Sequence, residues 1–267
     1  MSILIAVILG LIQGITEFLP VSSSGHVLIF SRILQNPSSF EFDVLVSFGT
    51  LFAVLFYYRK RFIEIIADLV KRRDLTLTLK LIVATIPAVV VGFVFKDIIS
   101  QYLHGTITAI VMLLAIGGLM IWSARWKPNL KLAANSDLHN ITYFQSITIG
   151  LAQCVALISG SSRSGVTMLA ALRQGFTTKV AAEWSFLMSV PVILGASLRV
   201  LVSDSGQRFI SEQMTAFLVA NAISFISGML AIHVLLKILQ KKGLYWFGWY
   251  RIILGLILIV LVSVKIV

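Results

Sequence analysis

Residues 13–26 read Gln13-Gly14-Ile15-Thr16-Glu17-Phe18-Leu19-Pro20-Val21-Ser22-Ser23-Ser24-Gly25-His26. Gln13 and Glu17 are four residues apart and share one face of a helix. Pro20 ends that helix, because it lacks a backbone donor and disfavours helical geometry at Leu19. A serine of the following run can cap a new helix. The free N–H groups and dipole at that helix start attract anions, phosphate above all. A second stretch has the same grammar: Ser159-Gly160-Ser161-Ser162-Arg163-Ser164-Gly165-Val166-Thr167. Shifting the chain by 140 residues superimposes the two. Gly10, Leu11, Gln13, Ser22, Ser24 and Gly25 then face Gly150, Leu151, Gln153, Ser162, Ser164 and Gly165, without a gap. Asp43 faces Glu183 at the same shift, and Gly92 with Gly228 is a looser echo.

The rest of the chain puts these breaks inside a membrane. Of 267 residues, 58% are hydrophobic and 12% charged, and mean hydropathy is +0.97. Soluble domains carry about 25% charged residues, so a soluble enzyme and a disordered chain are both excluded. Apolar segments fall near 3–19, 42–58, 81–95, 107–122, 144–158, 184–202, 214–236 and 244–264. Lys and Arg number 22 against 11 Asp and Glu, a net +11. The basic residues cluster at Arg59–Arg73, Arg125–Lys131 and Lys237–Lys242, each flanked by Tyr or Trp, which marks cytoplasmic loops. The excess charge therefore reports lipid headgroups, not nucleic acid. Cys154 is single and excludes an internal disulfide. The N-terminus lacks a basic n-region and a cleavage site and reads as retained.

Threading the segments from these loops predicts six crossings. The segments at 3–19 and 144–158 are left over, each followed by a polar break and a short apolar stretch. Both read as re-entrant hairpins, whose irregular backbone must line a cavity or be buried in protein. The predicted fold is an all-α integral membrane protein of one domain, 1–267. It is built from inverted repeats, approximately 1–139 and 140–267, with about six transmembrane helices plus two re-entrant hairpins. Inverted repeats of this kind place their site near the membrane midplane.

Brought together, the breaks supply an acid (Glu17), a histidine (His26), a guanidinium (Arg163) and the hydroxyls of Ser22, Ser23, Ser24, Ser162, Ser164 and Thr167. Arg163 suits bidentate phosphate binding, and an intramembrane charge is functional by default. The bland alternatives are a structural Glu17–Arg163 salt bridge, plain serine caps, a core histidine at 26 and a packing role for Gln13. Asp43 and Glu183 read as structural or interfacial. His104, His139 and His233 are expected to carry no chemistry, Arg199 to snorkel outward, and Gly117, Gly118 and Gly255 to serve helix packing.

The runs at 13–26 and 160–167, with Ala182-Glu183-Trp184-Ser185-Phe186-Leu187-Met188-Ser189-Val190-Pro191 after them and Tyr250-Arg251 near the end, resemble the bacitracin-resistance family of undecaprenyl-pyrophosphate phosphatases over essentially the whole chain. The resemblance implies removal of a phosphate from a C55 polyprenyl diphosphate, recycling the cell-wall lipid carrier. It implies a multi-pass protein of the bacterial cytoplasmic membrane with its site open to the outer face, and it leaves room for a homodimer. It also implies a divalent cation, Mg²⁺ or Ca²⁺, bound through Glu17 with Gln13. Catalytic roles fall on Glu17, Ser23, His26 and Arg163. Phosphate binding falls on Ser22, Ser24, Ser162, Arg163, Ser164 and Thr167. Two positions depart from the usual family pattern. Gln13 stands where many members have Glu, which weakens a two-carboxylate metal site, and Ser159-Gly160 replaces Pro-Gly. The nucleophile stays open between Ser23, His26 and water. A polyprenyl-phosphate flippase without hydrolysis is the competing reading, since broken helices are also transporter architecture.

Overall fold

The computed structural model describes residues 1–34, 39–126 and 138–264. Among them every regular element is helical. In chain order these are α1 (Ile3–Phe18), α2 (Ser23–Ile33), α3 (Phe40–Leu45), α4 (Ser47–Tyr57), α5 (Arg59–Ala67), α6 (Thr76–Val94) and α7 (Lys96–Tyr102). They continue with α8 (Thr106–Ser123), α9 (Tyr143–Gln153), α10 (Arg163–Arg173), α11 (Thr178–Leu201), α12 (Asp204–Lys242) and α13 (Tyr245–Ser263).

Six stretches are long and apolar enough to cross a bilayer: Phe40–Tyr57, Thr76–Val94, Thr106–Ser123, Thr178–Leu201, Asp204–Lys242 and Tyr245–Ser263. The chain is thus an all-α, multi-pass membrane protein. The span at 40–57 bends at Val46, where α3 gives way to α4. α12 has 39 residues, about 58 Å at 1.5 Å per residue, so it runs well past the membrane core. It kinks at Gln213, whose side-chain oxygen accepts the N-terminal amine at 3.0 Å. The segment expected at 214–236 is the straight part beyond this kink. Of the basic stretch Arg125–Lys131, residues after Trp126 lie outside the described residues.

α1 and α9 are too short to span. The 16 residues of α1 reach about 24 Å against a hydrocarbon core of about 30 Å. The short helices α2 and α10 follow them, beyond Pro20 and beyond Gly160.

Glycine brings these short helices into backbone contact with the long ones. Gly10 of α1 lies on the Ala220 carbonyl of α12, and Gly150 of α9 lies on the Ala84 carbonyl of α6. The contacts exchange halves: a first-half helix rests on a second-half helix, and the reverse. α8 and α13 meet each other through Gly117 and Gly248. Small residues at such crossings let helices approach closely in the absence of a hydrophobic drive between them. The largest buried cluster surrounds Trp184 and Phe186 of α11, and Phe18, the last residue of α1, stands edge-on to Phe186 with ring centroids 5.4 Å apart.

Gly160 has φ +86°, and a Cβ there would run into the Ala109 carbonyl of α8. Gly118, in α8 itself, has nothing within 4 Å of a built Cβ. Gly160→Ala is therefore expected to lower stability by at least about 2 kcal/mol through strain and overpacking. Gly118→Ala should be neutral or stabilise by up to about 1 kcal/mol through helix propensity. Thermal melting of the two purified variants in detergent checks both.

Candidate active site

The two breaks share one local geometry. Ser22 caps α2 with φ 77° and Ser162 caps α10 with φ 70°. The Gly25 N–H donates to Ser22 Oγ at 3.3 Å, and the Gly165 N–H donates to Ser162 Oγ at 3.2 Å. A second hydroxyl, Ser24 or Ser164, stands 3.3 Å from each cap oxygen. Arg73 is the other non-glycine residue at positive φ among those described. Such backbone costs of order 1–3 kcal/mol, persists where surrounding contacts impose it, and clusters at functional sites.

Glu17 joins the breaks. Its Oε1 accepts Arg163 Nη2 at 2.8 Å. Its Oε2 accepts the Ser23 hydroxyl at 2.8 Å and the Gln13 side-chain amide at 3.0 Å. The same amide donates to Ser47 Oγ at 2.9 Å. Arg163 also donates through Nη1 to the Ser185 carbonyl at 3.3 Å, leaving the other donors of its fork for a ligand. Both charged side chains keep a little access, 12% for Arg163 and 11% for Glu17, so the pair faces an opening. It borders a cavity of about 380 Å³, lined also by Gln13, Ser23, Ser24, Asp43, Ser47 and Ser159. A wider apolar cleft of about 680 Å³ shares Ser24, Phe40, Val44, His104, Ser159 and Ala196 with it. Lys96, His104, Arg199 and Ser203 also line that cleft.

The remaining nominated residues stand behind this wall. Ser22, His26, Ser162, Ser164 and Thr167 are buried and do not line the cavity. Ser164 donates to the Leu19 carbonyl at 3.2 Å, tying one break to the other. Thr167 Oγ1 donates to the Arg163 carbonyl at 2.8 Å and lies 2.7 Å from Ser185 Oγ. His26 Nδ1 is 2.7 Å from the Ser22 carbonyl. A carbonyl only accepts, so Nδ1 carries the proton, and in the neutral ring Nε2 accepts the Tyr250 hydroxyl at 2.7 Å.

Several site residues escaped the sequence reading. Asp43 lines the cavity, whereas its mirrored acid Glu183 pairs with Arg61 at 3.0 Å. His104, from which no chemistry was expected, and Arg199 line the cleft. Ser47 carried no signal that separates it from any membrane serine, and Ser185 was marked only by its place in the run at 182–191. Arg251 did carry one: it is a charge inside an apolar run, the criterion that singled out Arg163.

The profile of the family described as "Bacitracin resistance protein BacA" matches residues 6–257. The chain belongs to that family. Among similar proteins, the undecaprenyl-diphosphatase of Flavobacterium johnsoniae is 38% identical over 98% of this chain and 96% of its own length. That of Bdellovibrio bacteriovorus is 37% identical over 98% and 96%. That of Porphyromonas gingivalis is 38% identical over 98% and 97%.

In this BacA family member the cavity's donors are mostly oxygens: the Glu17 and Asp43 carboxylates, the Ser23 and Ser47 hydroxyls and the Gln13 amide. Hard divalent cations take such ligands and make up the rest from water and phosphate. Among the described residues no three His, Cys, Asp or Glu side chains cluster as a self-sufficient metal site. These oxygens are of the kind a hard divalent cation takes, with further ligands needed from outside the protein.

Removing one partner of the Glu17–Arg163 pair leaves a charge in a mostly buried place. Glu17→Gln and Arg163→Met are each expected to destabilise the protein, and the double variant to regain part of the loss. A coupling of about 1–2 kcal/mol is appropriate for a pair at the edge of a cavity. Thermal melts of the four-member cycle measure it.

Proposed function

We propose that this protein hydrolyses undecaprenyl diphosphate to the monophosphate and inorganic phosphate. The observation that carries the reading is a serine hydroxyl held on a carboxylate, 2.8 Å from Ser23 to Glu17, with an arginine on that carboxylate's other oxygen. The names of the similar proteins point the same way. Arg163, its fork turned to the cavity, holds the terminal phosphoryl group and stabilises the charge spread over its oxygens, the main catalytic task in phosphoryl transfer.

Ser23 is the nucleophile. Its oxygen attacks the terminal phosphorus while its proton passes to Glu17 Oε2. The bond from phosphorus to the bridging oxygen breaks, and polyprenyl monophosphate leaves. Glu17 returns that proton to the departing monophosphate. Water then attacks the phosphoserine, giving a proton to Glu17, which passes it to Ser23 Oγ as the serine–phosphorus bond breaks and inorganic phosphate is freed. His26 is the poorer nucleophile, because both ring nitrogens are engaged and the ring is walled off from the cavity. A divalent cation held by Glu17 and Asp43, with the oxygens of Gln13 and Ser47, would neutralise diphosphate charge when bound.

Apolar walls of the cleft, among them Phe40, Val44, Ile99 and Leu157, accept the first prenyl units. Residues lining the cleft, such as Lys96 and Arg199, sit at span ends away from the basic Arg59–Arg73 and Lys237–Lys242 segments, which supports a cytoplasmic-membrane protein with its site toward the outer face. Two inverted repeats, about 1–139 and 140–267, account for the matched caps and exchanged glycine contacts, with α1–α2 and α9–α10 as re-entrant hairpins. Carriage without hydrolysis needs anion donors but no carboxylate aligned on a hydroxyl.

Purified protein should release phosphate from undecaprenyl diphosphate, and EDTA should stop the release. Arg163→Ala is expected to cost about 10³-fold or more in kcat, as for arginines that stabilise phosphoryl transfer. Ser23→Ala should abolish turnover, while acid-quenched wild type carries phosphate on Ser23 by mass spectrometry. Phosphate release by Ser23→Ala at the wild-type rate would remove the covalent step. No release by folded wild type would remove the hydrolase reading itself.

A further inference from the structure

Arg251 of α13 is fully buried. Its Nη2 donates to the Gly160 carbonyl at 2.6 Å, the Ser161 carbonyl at 3.1 Å and the Met112 carbonyl at 3.1 Å. Its Nη1 reaches the Pro20 carbonyl at 3.3 Å. Pro20 belongs to the first break, Gly160 and Ser161 to the second, and Met112 to α8. One guanidinium therefore ties both breaks and the α8 scaffold together. Among the described residues no carboxylate pairs with it. An ion pair meant only as glue would have a carboxylate partner; this fork instead donates to three carbonyls of the two breaks and to one of α8.

The preceding residue grips the first break a second time. Tyr250 donates to His26 Nε2, and His26 Nδ1 donates to the carbonyl of the cap residue Ser22. The rings of Tyr250 and His26 lie parallel within 8° at 5.8 Å. Tyr250 and Arg251 thus hold the backbone on either side of Val21, just ahead of the Ser23 hydroxyl. α13 itself is seated on α8 at Gly248 and Gly117, so the grip is anchored to a rigid pair of helices.

We infer that Arg251 is a positioning residue of the reaction: it fixes the spacing between the two breaks, and with it the alignment of Ser23 and Glu17 on one against Arg163 on the other. Arg251 does not line the cavity, so it acts through backbone alone. The role in turnover rests on the hydrolase reading; the spacing of the breaks does not.

The test takes Arg251→Met with two readouts. One is kcat and KM for undecaprenyl diphosphate per folded molecule. The other, in a Cys154→Ala background, is the distance distribution between spin labels at positions 24 and 159, one in the first turn after the first break and one on the second, both on the cleft wall. Misplacing reacting groups by about 1 Å can cost roughly 100-fold, so kcat is expected to fall at least about tenfold while KM moves less than about threefold. The label distribution should broaden. Wild-type kcat in folded protein, or an unchanged distribution, overturns the proposal, whatever happens to Tm. If Arg251→Met does not fold, Arg251→Lys carries the test. It keeps the charge but cannot fork across three segments, so kcat should still fall and the distribution still broaden. Full activity of the lysine variant overturns the proposal. An inactive wild type would refute the hydrolase reading, while the label distances would still report on the spacing.

Discussion

A bilayer offers a broken helix no water, so each carbonyl freed at a break must find a donor inside the protein. This constraint organises the molecule. The breaks at 19–22 and 158–162 interrupt helices where a catalytic cavity is needed, and each would be prohibitive alone. One buried guanidinium donates to carbonyls of both breaks and Ser164 reaches across to the Leu19 carbonyl, while the Ser22 and Ser162 hydroxyls accept the N–H groups of Gly25 and Gly165. The donors to the freed carbonyls come from the other break or from α13.

That solution needs close packing, and the glycines provide it. Gly10, Gly150 and Gly160 let helices and a loop rest on bare carbonyls of α12, α6 and α8. The same closeness brings Glu17 from one half within ion-pair distance of Arg163 from the other. Neither mostly buried charge is stable without its partner, and neither break is oriented without the packing. Glu17 thus compensates Arg163 through one oxygen while the other accepts the Ser23 hydroxyl, and Arg163 keeps donors of its fork beyond this pair.

Much of the architecture was legible because membrane physics is legible. Length and hydropathy located six spans, and Pro20 with the Ser-x-Ser-Gly runs located two breaks. The site was legible in part. Gln13, Glu17, Ser23, Ser24 and Arg163 do line one cavity, whereas Ser22, His26, Ser162, Ser164 and Thr167 stand behind it and hold the wall. Sequence does not separate these groups, because a serine that caps a helix and a serine that faces a ligand occupy neighbouring positions in the same motif. Only the side-chain direction after a residue at φ near 70° distinguishes them.

The sequence by itself determined that this is a polytopic helical protein with two polar breaks carrying an acid, hydroxyls and an arginine. Composition, periodicity and proline act locally, so they can be read without coordinates. Tertiary structure alone decided which oxygen of Glu17 meets Ser23, that Asp43 joins the cavity while Glu183 joins Arg61, and that Arg251 reaches Pro20, Met112, Gly160 and Ser161. Those contacts link residues up to 231 positions apart. They arise from how α1, α8, α10 and α13 cross, a geometry set by close backbone approach at glycine and encoded in no single segment.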